Sequence, residues 1–288
     1  MIDLHTHTQY SDGTWNLRKL LEEAEKNKIE ILSITDHDTI KTYKELEKIN
    51  IKEIYNGKII PGVEFSTVYN GIAFHLLAYN FDYNKLENFI YKNYELKKPD
   101  LNREFKYMLN SCKKNNIKID NITYDKRKGW PIDVIFPEVK KHIENKCYFK
   151  EEEWNNIAVF FNSCITNKNF PVAVDFSIHY PNAKIVADNV RKSGGILFIA
   201  HLYRYNLEKP IQFLDMLKTE NIIDGVEVEY SEFTEKQSNI LKEYCQNNNL
   251  LMSGGTDCHG DKKVDRRIGI GYGNMHISKN LINNWKTV

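Results

Sequence analysis

The sequence predicts an α/β protein: a mostly parallel sheet, closed or nearly closed into a barrel, with a mainly helical insertion in mid-chain. Two observations carry this expectation. Short apolar or β-rich runs recur along the chain, each usually followed by polar turn residues and then a helical pattern, the rhythm of βαβ units. Several runs, such as Ile196 to Ala200, are continuously apolar, as strands covered on both faces must be.

Taken in order, strands are expected near 2–7, 29–35, 58–65, 73–79, 195–200, 224–229 and 249–254. Helical patterns fit about 15–27, 39–50, 84–97, 184–193, 208–220 and 233–247. The first of them puts Leu17, Leu20, Leu21 and Ala24 on one face, the spacing of a helix that covers a sheet. Between about 95 and 182 the rhythm gives way to a Lys-, Asn- and aromatic-rich stretch that includes Tyr107, Trp130, Phe149, Trp154, Phe160 and Phe161. The expected layout is therefore a barrel built from 1–94 and 183–288, with 95–182 inserted as a helical segment and candidate substrate cap. An independent N-terminal domain is the competing layout, but strands resume after residue 190 with the same kind of strand-end residues. The aromatics of the insertion have two readings, as platforms for stacking on a base or as a core of its own.

Composition narrows the functional classes. Across 288 residues, 40 Lys and Arg nearly balance 39 Asp and Glu, so no global charge points to a nucleic-acid scaffold or a membrane surface, and anion binding must be local. No apolar run approaches the roughly 20 residues of a membrane span, and residues 1–30 lack the basic start and apolar core of a signal peptide, so a cytoplasmic protein is expected. Cys112, Cys147, Cys164, Cys245 and Cys258 form no CxxC pair, which speaks against a disulfide framework or a zinc ribbon.

The chemistry lies in the strand ends. His5 and His7, one residue apart on a strand, point to the same side, as two imidazoles sharing one metal require. Alone, such a pair reads as two polar residues at a strand end; its weight comes from repetition. The second strand ends in Thr35-Asp36-His37-Asp38, the third in Gly62-Val63-Glu64, the fourth carries His75, the fifth ends at Ala200-His201, and the last runs into Thr256-Asp257-Cys258-His259. In a parallel barrel the C-terminal strand ends converge on one face, so these residues can meet. Asp12, in Ser11-Asp12-Gly13, can reach the same face. Glu64 is available to bridge two ions, and the inventory suits a multinuclear site for Mn²⁺, Fe²⁺ or Zn²⁺. His142, His179 and His276 fall outside the pattern and are expected at the surface or in ordinary hydrogen bonds.

Together, His5-Thr6-His7-Thr8, Ser11-Asp12-Gly13, Thr35-Asp36-His37-Asp38-Thr39, Gly62-Val63-Glu64, Ala200-His201 and Asp257-Cys258-His259 resemble the polymerase and histidinol phosphatase (PHP) superfamily, in that family's order. The resemblance implies a distorted (β/α)7 barrel and three divalent ions: one held by His5, His7, Glu64 and Asp257, a second by Glu64, His75 and His201, a third by Asp12, His37 and His259. Aspartate at position 12 resembles the branch with 3′,5′-nucleotide bisphosphate phosphatases and a short-RNA exonuclease. Leu202 departs from the proline usual in the family after Ala-His. The implied activity is hydrolysis of a phosphomonoester, a nucleotide or short oligonucleotide end, by a metal-activated hydroxide, with no long duplex nucleic acid as partner. Histidinol phosphatase and a non-catalytic metal-binding module are the alternatives.

Two further residues are expected to act. Arg204, three residues after His201, is placed to clamp a phosphate by two parallel hydrogen bonds, with Arg266 and Arg267 as candidates for a second phosphate. Asp36 and Asp38 flank His37; one is expected to orient a ligand imidazole and the other to protonate the leaving oxygen, with Asp38 carried as the catalytic candidate.

Overall fold

The computed structural model describes residues 1–96, 101–125, 130–165 and 179–285. Seven strands form one sheet in chain order: β1 (Ile2–Asp3), β2 (Ile31–Ile34), β3 (Lys58–Tyr69), β4 (Ile72–Tyr79), β5 (Ile196–Ile199), β6 (Gly225–Tyr230) and β7 (Leu251–Gly255). Each falls on an expected strand. The first is much shorter than 2–7, because beyond Asp3 the chain bridges to the other edge of the sheet, with Thr6 still held to the β2 side through Thr35 N to Thr6 O (2.8 Å) and Thr6 Oγ1 to Ser33 O (2.9 Å). Leu4 N donates to Gly254 O (3.1 Å), Asp257 N to His5 O (2.8 Å) and His7 N to Cys258 O (2.8 Å), and these bonds nearly close the barrel.

Buried Asp3 clasps the same seam, accepting from Thr256 N (3.0 Å), Thr256 Oγ1 (2.6 Å) and Gly269 N (2.8 Å).

The sheet departs from a parallel barrel at one strand. β1, β2 and β3 pair in parallel, as do β5, β6 and β7, but β4 runs antiparallel to both neighbours. The cause is local. Asn70 and Gly71 join β3 to β4 with φ of 49° and 75°, the left-handed pair that a two-residue hairpin turn requires and that Asn-Gly supplies at low cost. No crossover helix fits between the two strands, so β3 continues to Tyr69 and Ser66 pairs with His75.

The helices are α1 (Leu17–Lys26), α2 (Lys41–Leu46), α3 (Tyr83–Ile90), α4 (Leu101–Lys114), α5 (Pro131–Lys141), α6 (Glu151–Asn155), α7 (Ile157–Phe160), α8 (Ala183–Lys192), α9 (Pro210–Thr219) and α10 (Glu235–Asn248), and those outside α4–α7 pack on the barrel. α1 starts where Asn16 caps it, its side chain accepting from Lys19 N at 2.8 Å. It buries Leu17, Leu20, Leu21 and Ala24, the face expected of it. α3 passes into a π-helical turn at Tyr91–Glu95. No helix among the described residues is long and apolar enough to cross a membrane.

Helices α4 to α7 gather a hydrophobic cluster of their own, separate from that of the barrel, around Phe105, Met108, Ile135, Val139 and Trp154. Phe149 and Phe160 are buried in it and Phe161 packs against it, so these aromatics serve as core, whereas Tyr107 and Trp130 are exposed. Of the 95–182 stretch, 97–100, 126–129 and 166–178 lie outside the described residues, as does the last residue of the helix expected at 84–97.

Candidate metal centre

The C-terminal ends of β2, β5 and β7, the middle of β3 and the segment following β1 deliver histidines and carboxylates to one point. His5 Nε2 lies 2.9 Å from Glu64 Oε2, and His7 Nε2 lies 3.1 Å from both Glu64 Oε2 and Asp257 Oδ1. His5, His7, Glu64 and Asp257 thus offer four ligand atoms within 4.8 Å of one another. A second group joins Asp12, His37 and His259 with His7: Asp12 Oδ2 is 3.1 Å from His259 Nε2, and Asp12 Oδ1 is 3.8 Å from both His37 Nε2 and His7 Nδ1. His7 therefore presents one ring nitrogen to each group.

Glu64 divides its carboxylate. Oε2 faces His5 and His7, while Oε1 meets His75 Nδ1 and His201 Nε2, each at 2.8 Å. His75 reaches it as a diagonal neighbour across the β3–β4 hairpin rather than from a parallel strand end. His37, 3.5 Å from Glu64 Oε2, groups with Glu64 and His75 as well.

Charge and hydrogen bonding at this cluster fit cations. His7 Nε2 and Asp12 Oδ1 are buried with no hydrogen-bond partner, an arrangement that is costly unless a positive charge sits between such atoms. Burial pushes the imidazoles of His37 and His201 down to about 3, against the pull of Glu64. Burial also disfavours a charged His7, yet Asp257 and Glu64 raise it to about 9. Despite burial, His37, His5 and His75 hold Glu64 well below the usual carboxylate range. For Asp257, Lys263, His5 and His7 outweigh burial in the same direction.

Two supporting groups were not foreseen. Glu227, fully buried on β6, accepts from His5 Nδ1 at 2.8 Å and from the backbone N of His201 at 2.6 Å. A carboxylate there fixes the proton on Nδ1 and turns the Nε2 lone pair of His5 toward Glu64. Its sequence setting, Val226-Glu227-Val228-Glu229, reads as ordinary alternation with glutamates outward, and only the closure of the barrel reverses that reading. Tyr230 donates from its hydroxyl to Asp257 Oδ2 at 2.9 Å.

The expectation that Asp36 or Asp38 orients a ligand imidazole does not hold, since among the described residues neither bonds a histidine ring. Asp36 is occupied by Thr8 N (2.7 Å), Thr8 Oγ1 (2.6 Å), Ser11 Oγ (2.7 Å) and the Thr42 hydroxyl, and so fixes the loop that leads to Asp12. Asp38, at φ 57°, turns to Ser66 and accepts from its N (2.7 Å) and Oγ (2.8 Å). Burial pushes the Asp38 carboxyl up to about 7.

Basic side chains line the outer side of Asp257. Arg204 Nη1 is 3.2 Å from the Tyr230 hydroxyl and 3.6 Å from Asp257 Oδ2; Arg266 bonds both groups; Lys263 Nζ is 3.4 Å from Asp257 Oδ2. Arg267 is exposed, and its backbone closes a turn with Gly271. Leu202 is buried at the start of a 3₁₀ turn, Leu202–Tyr205, that carries Arg204. Of the remaining histidines, His142 bonds Asp120 (3.0 Å), His179 lies 3.5 Å from Arg103 and His276 is exposed.

Comparison with known proteins places these features among relatives. A model of the PHP domain matches residues 3–152 of the 288. A 5′-3′ exoribonuclease of Haemophilus influenzae is 39% identical over 80 residues, 28% of each chain. The 5′-3′ exoribonuclease Rnm of Escherichia coli is 35% identical over 80 residues, and the match spans 27% of its length. Among solved structures, a candidate metal-dependent phosphoesterase of Bifidobacterium adolescentis superposes with a TM-score of 0.63 at 22% identity, covering 97% of this chain and 93% of that one. An amidohydrolase of Chromobacterium violaceum, solved with sulfate and no metal, gives 0.64 at 17% identity over 93% and 89% of the two chains.

Proposed function

The chain belongs to the PHP domain family, and from that premise we propose that it is a metal-dependent phosphoesterase acting on a nucleotide or the end of a short oligonucleotide. The observation that carries this reading is the divided carboxylate of Glu64, with two histidines on each oxygen, beside a third group of ligands around Asp12. His5, His7, Glu64 and Asp257 would hold one divalent cation, Glu64, His75 and His201 a second, and Asp12, His37 and His259 a third, with Mn²⁺, Fe²⁺ and Zn²⁺ all suited to these donors. Such cations, when bound, neutralise phosphate oxygens and lower the pKa of water.

The protein's own side chains do the rest. Glu227 keeps His5 in the tautomer that presents Nε2, and Asp36 holds the loop that places Asp12. Arg204 orients the phosphate. Asp38, whose carboxyl burial pushes up to about 7, supplies a proton to the leaving oxygen, and Ser66 N and Oγ, which donate to its two oxygens, hold the resulting carboxylate. The 95–182 segment is proposed to cover the site and select the substrate.

Hydrolysis of a phosphomonoester is the first reading. A second, cleavage of the terminal phosphodiester of short RNA, is favoured by the likeness to 5′-3′ exoribonucleases. Chelator-stripped protein, reloaded with each cation in turn, is to be assayed on mononucleotides, 3′,5′-bisphosphates, short RNA and histidinol phosphate. Arg204→Lys keeps the charge but loses the paired hydrogen bonds, so kcat/KM is expected to fall about 5- to 150-fold with metal content unchanged. Normal kcat/KM in both Arg204→Lys and Arg204→Ala removes Arg204 from the clamp.

A further inference from the structure

The two arginines beside Asp257 each use one edge inward and one edge outward. Inward, Arg266 Nη1 bonds Tyr230 (2.9 Å) and Asp257, and Arg204 Nη1 bonds Tyr230 (3.2 Å), so these edges serve the metal-site carboxylate. Outward, both turn to a single acid just beyond β6. Arg266 Nη2 bonds Glu232 Oε1, and Arg204 Nε lies 3.6 Å from Glu232 Oε2. Exposure rises along the same line, from 7% for Arg266 through 26% for Arg204 to 35% for Glu232. One carboxylate, an oxygen on each guanidinium, thus spans the two edges that an incoming phosphate would need.

We propose that Glu232 is a specificity-determining competitor: it occupies the arginine clamp in the absence of substrate, and a phosphoryl group enters by displacing it. The inference rests on the reading of Arg204 as part of the phosphate clamp. The exchange is favourable for the right ligand. Glu232 is half-exposed and regains water when it leaves, while its buried partner Arg266 keeps its bonds to Tyr230 and Asp257. A terminal phosphate, close to −2 at neutral pH with three acceptor oxygens, offers the arginines more charge and more acceptors than a carboxylate does. A singly charged group offers no more charge than Glu232 already supplies, so the clamp favours a dianionic terminal phosphate over a monoanion.

The test uses the metal-loaded full chain and inorganic phosphate as a competitive inhibitor. Glu232→Gln and Glu232→Ala are expected to lower the Ki of phosphate roughly 2- to 10-fold, between the effect of an exposed ion pair and that of a charge-assisted hydrogen bond, with metal content unchanged. In an Arg204→Ala background the same substitution is expected to have a smaller effect, because the two side chains are then uncoupled. A Ki that is unchanged or higher in both Glu232 variants, while Arg204→Ala alone weakens phosphate, overturns the role of Glu232 and leaves the clamp standing. If Arg204→Ala does not weaken phosphate, the clamp is wrong and this inference goes with it.

Discussion

At the scale of single residues, the site depends on carboxylates that touch more than one partner. Glu227 accepts from two donors, His5 Nδ1 and the backbone N of His201. The amide of Glu227→Gln has one acceptor oxygen and can satisfy only one of them. Metal affinity is therefore expected to fall about 10- to 100-fold with the fold intact by circular dichroism, as for other groups that orient ligands. Titration of the stripped variant with Mn²⁺ checks this, and wild-type affinity would show that His5 needs no such support. Although His75 lies inside its strand and no motif marks it, most candidate ligands were legible from the chain because they sit in short motifs at or after the expected strand ends. Glu227 was not, because alternation with valine is the same pattern whether glutamate faces water or a closed barrel interior. Tyr230 and Glu232 carry no motif at all; their meaning comes from Arg204 and Arg266, which are distant in sequence.

At the scale of elements, all seven strands could be placed from their apolar runs, but the expected parallel sheet gave one of them the wrong direction. Asn70-Gly71 is a hairpin signal, and the few residues between the runs at 58–65 and 73–79 are too short for a crossover, so the antiparallel pairing was legible there. Gly71→Ala puts a Cβ on a residue at φ 75° and is expected to destabilise the hairpin by about 1–2 kcal/mol, lowering Tm by a few degrees. An unchanged Tm would mean that the turn relaxes at no cost.

The insertion carries a different liability. Glu104 on α4 is buried, its Oε2 has no hydrogen-bond partner, and burial pushes its carboxyl up to about 7. Below the unfolded pKa of about 4.3 both states hold the proton and ionisation of Glu104 costs no stability. As pH rises from there to about 7 the unfolded chain ionises first, so stability is lost across that window and stays lost above it. Glu104→Gln is expected to be more stable than wild type at pH 7.5, by at most about 3 kcal/mol, and to show no such advantage at pH 4. Thermal melts at both values check this; an equal difference at both would mean that Glu104 does not titrate in that window.

At the scale of the whole molecule, a nearly closed barrel brings residues from 5 to 259 into one cluster, where Glu64 and Asp257 are buried beside histidines. The expected convergence of strands is seen for the candidate ligands that follow β1, β2, β5 and β7 and for Glu64 on β3; β4 contributes His75 by crossing the sheet in the other direction. The separate core of α4 to α7 was legible only as aromatic content, since stacking platforms and core residues share one composition. The most direct measurement of a metal centre bridged by Glu64 combines elemental analysis with hydrolysis of a 3′,5′-bisphosphate and of short RNA, for wild type and Glu64→Gln after reloading with Mn²⁺. The expected result is more than one bound ion per chain in wild type, with Glu64→Gln losing metal and most activity, by more than the 10- to 100-fold typical of groups that only orient ligands. Equal metal content and activity within a few-fold of wild type would contradict it.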